Sequence, residues 1–338
     1  MTIVFEERAP YEQGFAAHYA AHVAPEIENL EKLRQKFLNY FYVVLGAGIC
    51  IAILALPYLH ILEDKKIDAI IAYAFVAGGL PLLVMKQFKS NAKNILAPLI
   101  IAFYKDRTFT VEGFTSEQHT TKFNILPSFD HYKGEDLCTK ENFYQSCELQ
   151  LTENRGSGKN RRTVTTFQGL ALLITLPYTV HAPTRLCMDK GKVGNWLSNI
   201  GKPTGDTVGL EDPVFEKIFE VYSTDQIEAR RILTPAFMEK LLSLNALMVH
   251  WKQNGENVER FLQIAELKAH PENINNNMAV SFLGNEVLVL IDCRRDLFEP
   301  ASLFKPSNDT AAIRCVLLQF HLIDEIYKTL CLAKPATL

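Results

Sequence analysis

Between Phe37 and Met85 the chain carries two long apolar runs, 37–62 and 67–85, separated by the charged tetrad Glu63, Asp64, Lys65 and Lys66. An α-helix needs about 20 apolar residues to cross the hydrocarbon core of a bilayer. Two such runs joined by a short polar link predict a transmembrane helical hairpin, which places both long flanks on one side of the membrane. Tyr40, Tyr42 and Tyr58 fall near the ends of the first run, where amphipathic rings suit the headgroup level. Pro57 and Pro81 sit toward helix ends, where a lost backbone donor is tolerated. The competing reading, two buried core helices of a soluble protein, is disfavoured because such helices keep a polar stripe. Neither run holds a charge at mid-depth, which argues against an ion pathway or proton relay.

Basic residues near the runs set the orientation. Lys32, Arg34 and Lys36 precede the first run and Lys86, Lys89 and Lys93 follow the second, against Lys65 and Lys66 in the link. Basic flanks are retained on the cytoplasmic side, so both termini are expected inside. The seven scattered cysteines, without a CxxC pair, fit a reducing compartment and neither a disulfide framework nor a zinc site. A cleavable signal peptide is not expected, because more than thirty mixed residues precede the first apolar run. The net charge of −3 offers no bulk attraction to nucleic acid. Gly48 with Ala52, and Ala74 with Gly78, have the small-xxx-small spacing that lets helix backbones approach, either within the hairpin or along a homo-oligomer seam.

The expected organisation is juxtamembrane helices over 1–36, the hairpin over 37–85, a membrane-proximal connector over 86–107 and an α+β domain with an antiparallel sheet over 108–338. In the first segment a helical stripe is expected to break at Pro25. His18 and His22, four apart, could share a helix face with Glu26 as a third ligand, but one such pair reads as surface histidines rather than a metal site. The apolar stretch Ile95 to Phe103 is too short and Pro-interrupted to span. Alternating residues predict strands at 108–111, 146–152 and 163–167, with a more buried strand at 170–176. Residues 153–162 form a Gly-containing hairpin tip carrying Arg155, Lys159, Arg161 and Arg162, which could touch anionic lipid. The Gly156 to Lys159 stretch is not a phosphate loop: Glu153 stands where the first glycine belongs, and Asn160 replaces the magnesium-binding hydroxyl.

Residues 189–209 read as a long loop, and 215–222 as a strand or short helix. A short helix then follows, capped by Ser223 or Thr224, with Arg230 and Arg231 near its negative end. Thr234 and Pro235 start another helix that runs to about Trp251 and buries Phe237, Leu241, Leu244 and Met248. Residues 278–283 and 286–292 flank Gly284-Asn285 and predict a β-hairpin. Leu317, Phe320, Ile323, Ile326, Tyr327 and Leu330 stripe a final helix.

Several segments together resemble a bacterial family known as domain of unknown function 3137: 210–216, 221–230, Ile232 to Pro235 with Met238 and Glu239, 134–136, Phe167 with Gly169 and Leu170, and 296–300 with Leu303 and Phe304. The resemblance implies a bacterial inner-membrane protein with a cytosolic α+β domain. It brings no activity, cofactor or catalytic residue. The Asn-rich stretch 252–277 is longer than the family pattern, and the basic tip at 155–162 is a variable feature.

Tyr222, Asp225, Gln226, Glu228, Arg230 and Arg231 form the one polar cluster dense enough to be weighed as a site. Capping, dipole complementation and ion pairing at a tight corner account for it without catalysis. No nucleophile elbow, metal-ligand cluster or diagnostic His–Cys spacing is present in the sequence. The leading expectation is a membrane-anchored cytosolic module that binds a protein partner or the lipid surface, with no cofactor. The alternative is a membrane-tethered enzyme with its site around 222–235.

Overall fold

The computed structural model describes residues 4–55, 78–188, 205–254 and 277–331. The chain divides into two compact units, one of Met1–Phe103 with Glu299–Arg314, the other of Tyr104–Phe298 with Cys315–Leu338. The fold class is α+β, with an apolar helix near the N-terminus and an antiparallel sheet.

In the first unit, α1 (Phe15–His18), a π-helical turn (Tyr19–Val23) and α2 (Ala24–Ala55) follow one another directly. Pro25 therefore does not break the helix. The wider turn just before it, with Ala24 N–H donating to Tyr19 O, rearranges the bonding where proline cannot donate. The second helix, α3 (Leu80–Ile101), runs antiparallel to this rod: His18 Nε2 meets Leu99 O at 2.7 Å, and the Phe37 and Phe88 rings lie 5.9 Å apart. Within the expected connector, residues 86–101 are the helical continuation of α3. Phe88, Ala92, Leu96 and Ile100 recur every fourth residue and are buried, so one helix face closes the contact through Pro98. Residues 56–77, which hold the end of the first apolar run, the link and most of the second run, lie outside the described residues, as do 189–204 of the long loop and 255–276 of the Asn-rich stretch.

The late segment 299–314 completes this unit. Lys93, buried on α3, pairs with Glu299 at 2.7 Å. Arg34 donates to Leu303 O at 3.0 Å, and Glu31 accepts from Ser307 N–H at 2.9 Å. Arg314 pairs with Glu12, which is fully buried, and its guanidinium lies 4.5 Å from the Phe5 ring centre.

The second unit is built on a seven-stranded antiparallel sheet: β1 (Thr108–Thr110), β2 (His131–Lys140), β3 (Tyr144–Arg155), β4 (Arg162–Met188), β5 (Asp206–Thr207), β6 (Phe219–Ser223) and β7 (Met278–Asp292). The long β4 is its spine. One of its edges pairs first with β3 and then with β6, while β7 runs along the other edge. Residues 163–167 and 170–176, expected as two strands, belong to this single one. Pro177 and Pro183 are admitted because each falls at a register shift against β7, where a missing donor breaks no ladder bond.

The predicted hairpin at Gly284 does not form. Residues 278–292 are one strand, and Gly284, at φ 63°, lies opposite a bulge in β4: β4 uses Thr175 to Val180 where β7 uses Glu286 to Gly284, so the extra residues are on β4. Both halves of β7 find hydrogen-bond partners on β4, which a turn back on itself would forfeit. β2, absent from the expected strands, pairs with β1 and β3 and carries its own bulge at Asp136, where φ is 61°.

Strand alternation gives the sheet two distinct faces. Cys147, Leu149, Leu151, Phe167, Ala171 and Leu173 point to one, where Phe123 and Ile125 cover them. Tyr144, Leu172 and Ile174 point to the other, facing α8 (Ala311–Cys331), whose Phe320 packs on Phe109 and Phe298 and whose Tyr327 packs on Tyr144. Across that interface Asp324 accepts from Tyr144 Oη at 2.8 Å and pairs with Arg107 at 3.1 Å. Short helices α4 (Glu117–Thr121), α5 (Pro213–Glu216) and α6 (Gln226–Ile232) and the longer α7 (Pro235–Asn254) complete the unit.

Candidate functional site

Three places could carry function: the corner between β6 and α7, the polar end of the sheet face, and the apolar surface of α2 and α3. At the corner, β6 delivers Ser223, Asp225 opens α6, and Thr234 with Pro235 opens α7, the two helices meeting at 69°. The cap of α6 is Asp225, not Ser223 or Thr224. Its carboxylate accepts from Ile227 N–H at 2.8 Å and Glu228 N–H at 3.1 Å, a charge at the positive end of the helix. Ser223 instead turns inward, where its Oγ lies 3.2 Å from Thr184 Oγ1 and takes the Asp225 N–H. The Thr234 cap of α7 holds, accepting from Phe237 N–H at 3.3 Å.

Of the remaining members of the polar cluster, Glu228, Arg230 and Arg231 hold backbone. Glu228 is buried; it accepts His181 N–H at 2.9 Å and grips Arg231 through two bonds of 2.6 Å. Arg231 reaches on to Thr179 O at 3.4 Å. Arg230, exposed, donates to Gly209 O at 3.1 Å and to Gln226 Oε1 at 3.3 Å. Tyr222 is half-buried on β6 between Arg185 and Thr207. These contacts join α6 to β4 at its Pro177 bulge and to the chain entering α5. The structure brings all six residues to one corner, and five of them act there on main chain or on one another.

The Arg231 guanidinium and the His181 N–H both favour the Glu228 carboxylate, which is held below its ordinary range, the Arg231 bond contributing most. A carboxyl lowered in the folded state contributes stability above its unfolded value of about 4.3 and loses it as pH falls through the folded one. Urea unfolding of the purified protein in detergent is therefore expected to show a midpoint that drops between pH 7 and pH 3. In Glu228→Gln the midpoint is lower at pH 7 and that acid slope is shallower. An unchanged slope in the variant contradicts the assignment.

The second place lies where the α8-facing side of the sheet turns polar. Lys133, Glu135, Glu148, Gln150 and Gln168 line a small pocket with Asp296, which follows β7. Glu148 is buried and accepts Leu297 N–H at 2.7 Å, and Gln168 donates to Asp296 at 3.2 Å. With Asp136 on the β2 bulge, Glu135 and Glu148 bring carboxylate oxygens within 4.8 Å of one another, the one such acidic group among the described residues. Oxygen donors of this kind suit hard cations, but one oxygen of Glu148 is already used on the main chain. Sequence reasoning missed this cluster because β2 itself was not recognised; the bulge that turns Asp136 inward has no sequence signature beyond its position after Gly134.

Of the basic tip, Arg155 is paired with Glu153 at 2.6 Å and faces Arg162 across the end of the β3–β4 hairpin. Arg161 and Arg162 are exposed, and Lys159 lies on the 3-10 turn Gly158–Asn160. The His18 and His22 ring centres lie 4.7 Å apart with their planes tilted by 44°, and His18 Nε2 is taken up by the Leu99 carbonyl.

The third place is the rod Pro10–Leu54, long and apolar enough to cross a membrane. In its most apolar 18-residue stretch only 6% is buried, the reverse of a core helix. Val43, Ile49, Ile51, Ile53 and Leu54 face outward, Leu54 being 71% exposed, and Leu82 and Leu83 do the same on α3.

Helical rod and sheet together define an α+β protein with one helix able to span a bilayer among its described residues. Residues 165–252, from mid-β4 through the β6–α7 corner, match the model of a family described as Protein of unknown function (DUF3137), in keeping with the resemblance read from the sequence. Among curated proteins nothing matches. A crystal structure of the mycobacterial trehalose monomycolate transport factor A, TtfA, aligns with 71% of this chain and 96% of its own at 9% identity, with a TM-score of 0.30. A likeness that low carries no argument about this chain.

Proposed function

We propose that this protein is a membrane-anchored binding module of the bacterial inner membrane. In this reading the apolar runs 37–62 and 67–85 form a two-span hairpin, both termini lie in the cytosol, and the sheet unit works there on a protein partner. The observation that carries it is the outward-facing, almost wholly unburied apolar surface of the α2 stretch, matched on α3 by Leu82 and Leu83. Left in water, these side chains would form an apolar patch far beyond what a soluble surface keeps. The lysines flanking the runs and the free cysteines support the inside orientation. At the corner of the sheet unit the charged side chains cap helices and hold one another, which supports a binding role over chemistry for that block.

Membrane fractions washed with alkaline carbonate are expected to retain the full-length protein. A protease site placed in the 63–66 link is expected to be cut from outside spheroplasts, whereas a tag at Leu338 resists until the cells are lysed. Release of the protein by carbonate, or digestion of the Leu338 tag from outside, defeats the reading.

A further inference from the structure

The late segment 299–314 makes an excursion whose contacts can be followed along α2. Its start is tied to Lys93 on α3, and its later part pairs Ser307 with Glu31 and Arg314 with Glu12. Between these ties, Phe304 reaches highest: its ring meets that of Phe41 edge-on at 5.1 Å. Phe41 lies where α2 changes from charged to apolar, beside the outward-facing Tyr40 and Tyr42. Phe304 is itself 49% exposed, next to Lys305, whose side chain is 65% exposed and only loosely paired with Asp309 at 3.9 Å. An aromatic ring level with a tyrosine belt, followed by a lysine able to extend toward phosphate, is the chemistry of a headgroup-level anchor.

We infer that Phe304 and Lys305 form an interfacial anchor that seats the 299–314 excursion in the headgroup region of the bilayer, beside the point where α2 enters. The occupant is lipid rather than a protein because the exposed ring is continuous with the apolar surface of α2 that begins at Tyr40 and Tyr42 and rises through Val43. The anchor is held in place rather than free to lift away. Arg34, whose side chain is 8% exposed, holds the Leu303 carbonyl and Glu31 holds Ser307, bracketing the ring on both sides. This inference rests on the bilayer reading above and adds to it a contact made by the C-terminal half of the chain.

The test is photocrosslinking of the full chain in vesicles of phosphatidylethanolamine and phosphatidylglycerol. p-Benzoylphenylalanine is placed singly at Phe304, at Ile53 within the apolar run, or at Val4, exposed near the opposite end of the rod. Lipid adducts read by mass spectrometry are expected at 304 and 53 in comparable yield, several-fold above position 4. Adducts at 53 but only background at 304 overturn the anchor and leave the spanning helix standing. Background at both 53 and 304 overturns the spanning reading and the anchor with it. A Phe304→Trp variant gives a second measure without the bulky ketone: its added emission is expected to be quenched by lipid brominated near the headgroup. Quenching by aqueous iodide alone overturns the anchor.

Discussion

Arg314→Ala is expected to be among the most destabilising single changes in the N-terminal unit, lowering its stability by about 3–5 kcal/mol, the usual consequence of leaving a buried charge without its partner. Glu12 has no exposure, and its carboxylate is met by the Arg314 guanidinium and by Arg8 N–H at 2.7 Å. The same guanidinium donates to the Glu6 carbonyl and covers the Phe5 ring, so one side chain ties down residues 5 to 12. Its removal leaves a carboxylate out of water and strips the cover from an aromatic cluster of Phe5, Phe15 and Tyr19. Thermal unfolding in detergent and limited proteolysis check this: a lower midpoint and new cleavage before Phe15 are expected. Glu12→Gln, which keeps the shape and loses the charge, is expected to fall between the two proteins. A proteolysis pattern identical to that of the unsubstituted chain contradicts the tie.

Gly169→Val is expected to prevent the sheet unit from closing. Gly169 lies on β4 between Leu149 of β3 and Asp292 of β7. A Cβ there would sit 2.0 Å from the Ile291 carbonyl oxygen and 2.8 Å from the Cys293 nitrogen, both backbone atoms of the neighbouring strand. Those atoms are held, since Cys293 and Arg294 both donate to Gln168 O at 3.0 and 2.9 Å. Relief demands parting β7 from β4, so even Gly169→Ala should cost about 3 kcal/mol or more, at the upper end of what overpacking does. Gly284→Ala is the control. Its φ of 63° carries a strain of about 1 kcal/mol for an L-residue, but a Cβ there meets nothing. Folded yield and urea midpoint should rank Gly284→Ala well above Gly169→Ala, with Gly169→Val recovered mainly as aggregate. Equal behaviour of the two alanine variants contradicts the close-approach account.

Local signals were readable wherever the chain needed only its neighbours. Thr234 followed by Pro235, and apolar residues at 237, 241, 244 and 248, announce α7 because a cap and a 3.6-residue stripe are local properties. The stripe of α8 and the β3–β4 tip were legible for the same reason. Misreadings arose where distant partners overrode local preference. Gly284-Asn285 between alternating runs has the form of a tight turn, yet β4 offers partners to both halves and the strand runs on through the glycine, opposite a bulge in β4. Asp225 displaced Ser223 as the cap because Ser223 is taken up by Thr184 from β4, 39 positions away. The carboxylates Glu135, Asp136 and Glu148 were invisible as a group, since they meet only once β2 pairs with β3.

What the amino-acid order determined by itself is a long apolar helix followed by a largely antiparallel α+β portion, because hydrophobic length and periodicity act within a single element. Tertiary structure alone decided that residues 299–314 belong with the first 103, since an ion pair such as Glu12–Arg314 joins positions 302 apart and leaves no periodic trace. It also decided that the charged corner at 222–235 is held together from within. A side chain's role there depends on which backbone groups lie within 3 Å, and only the packed chain supplies them.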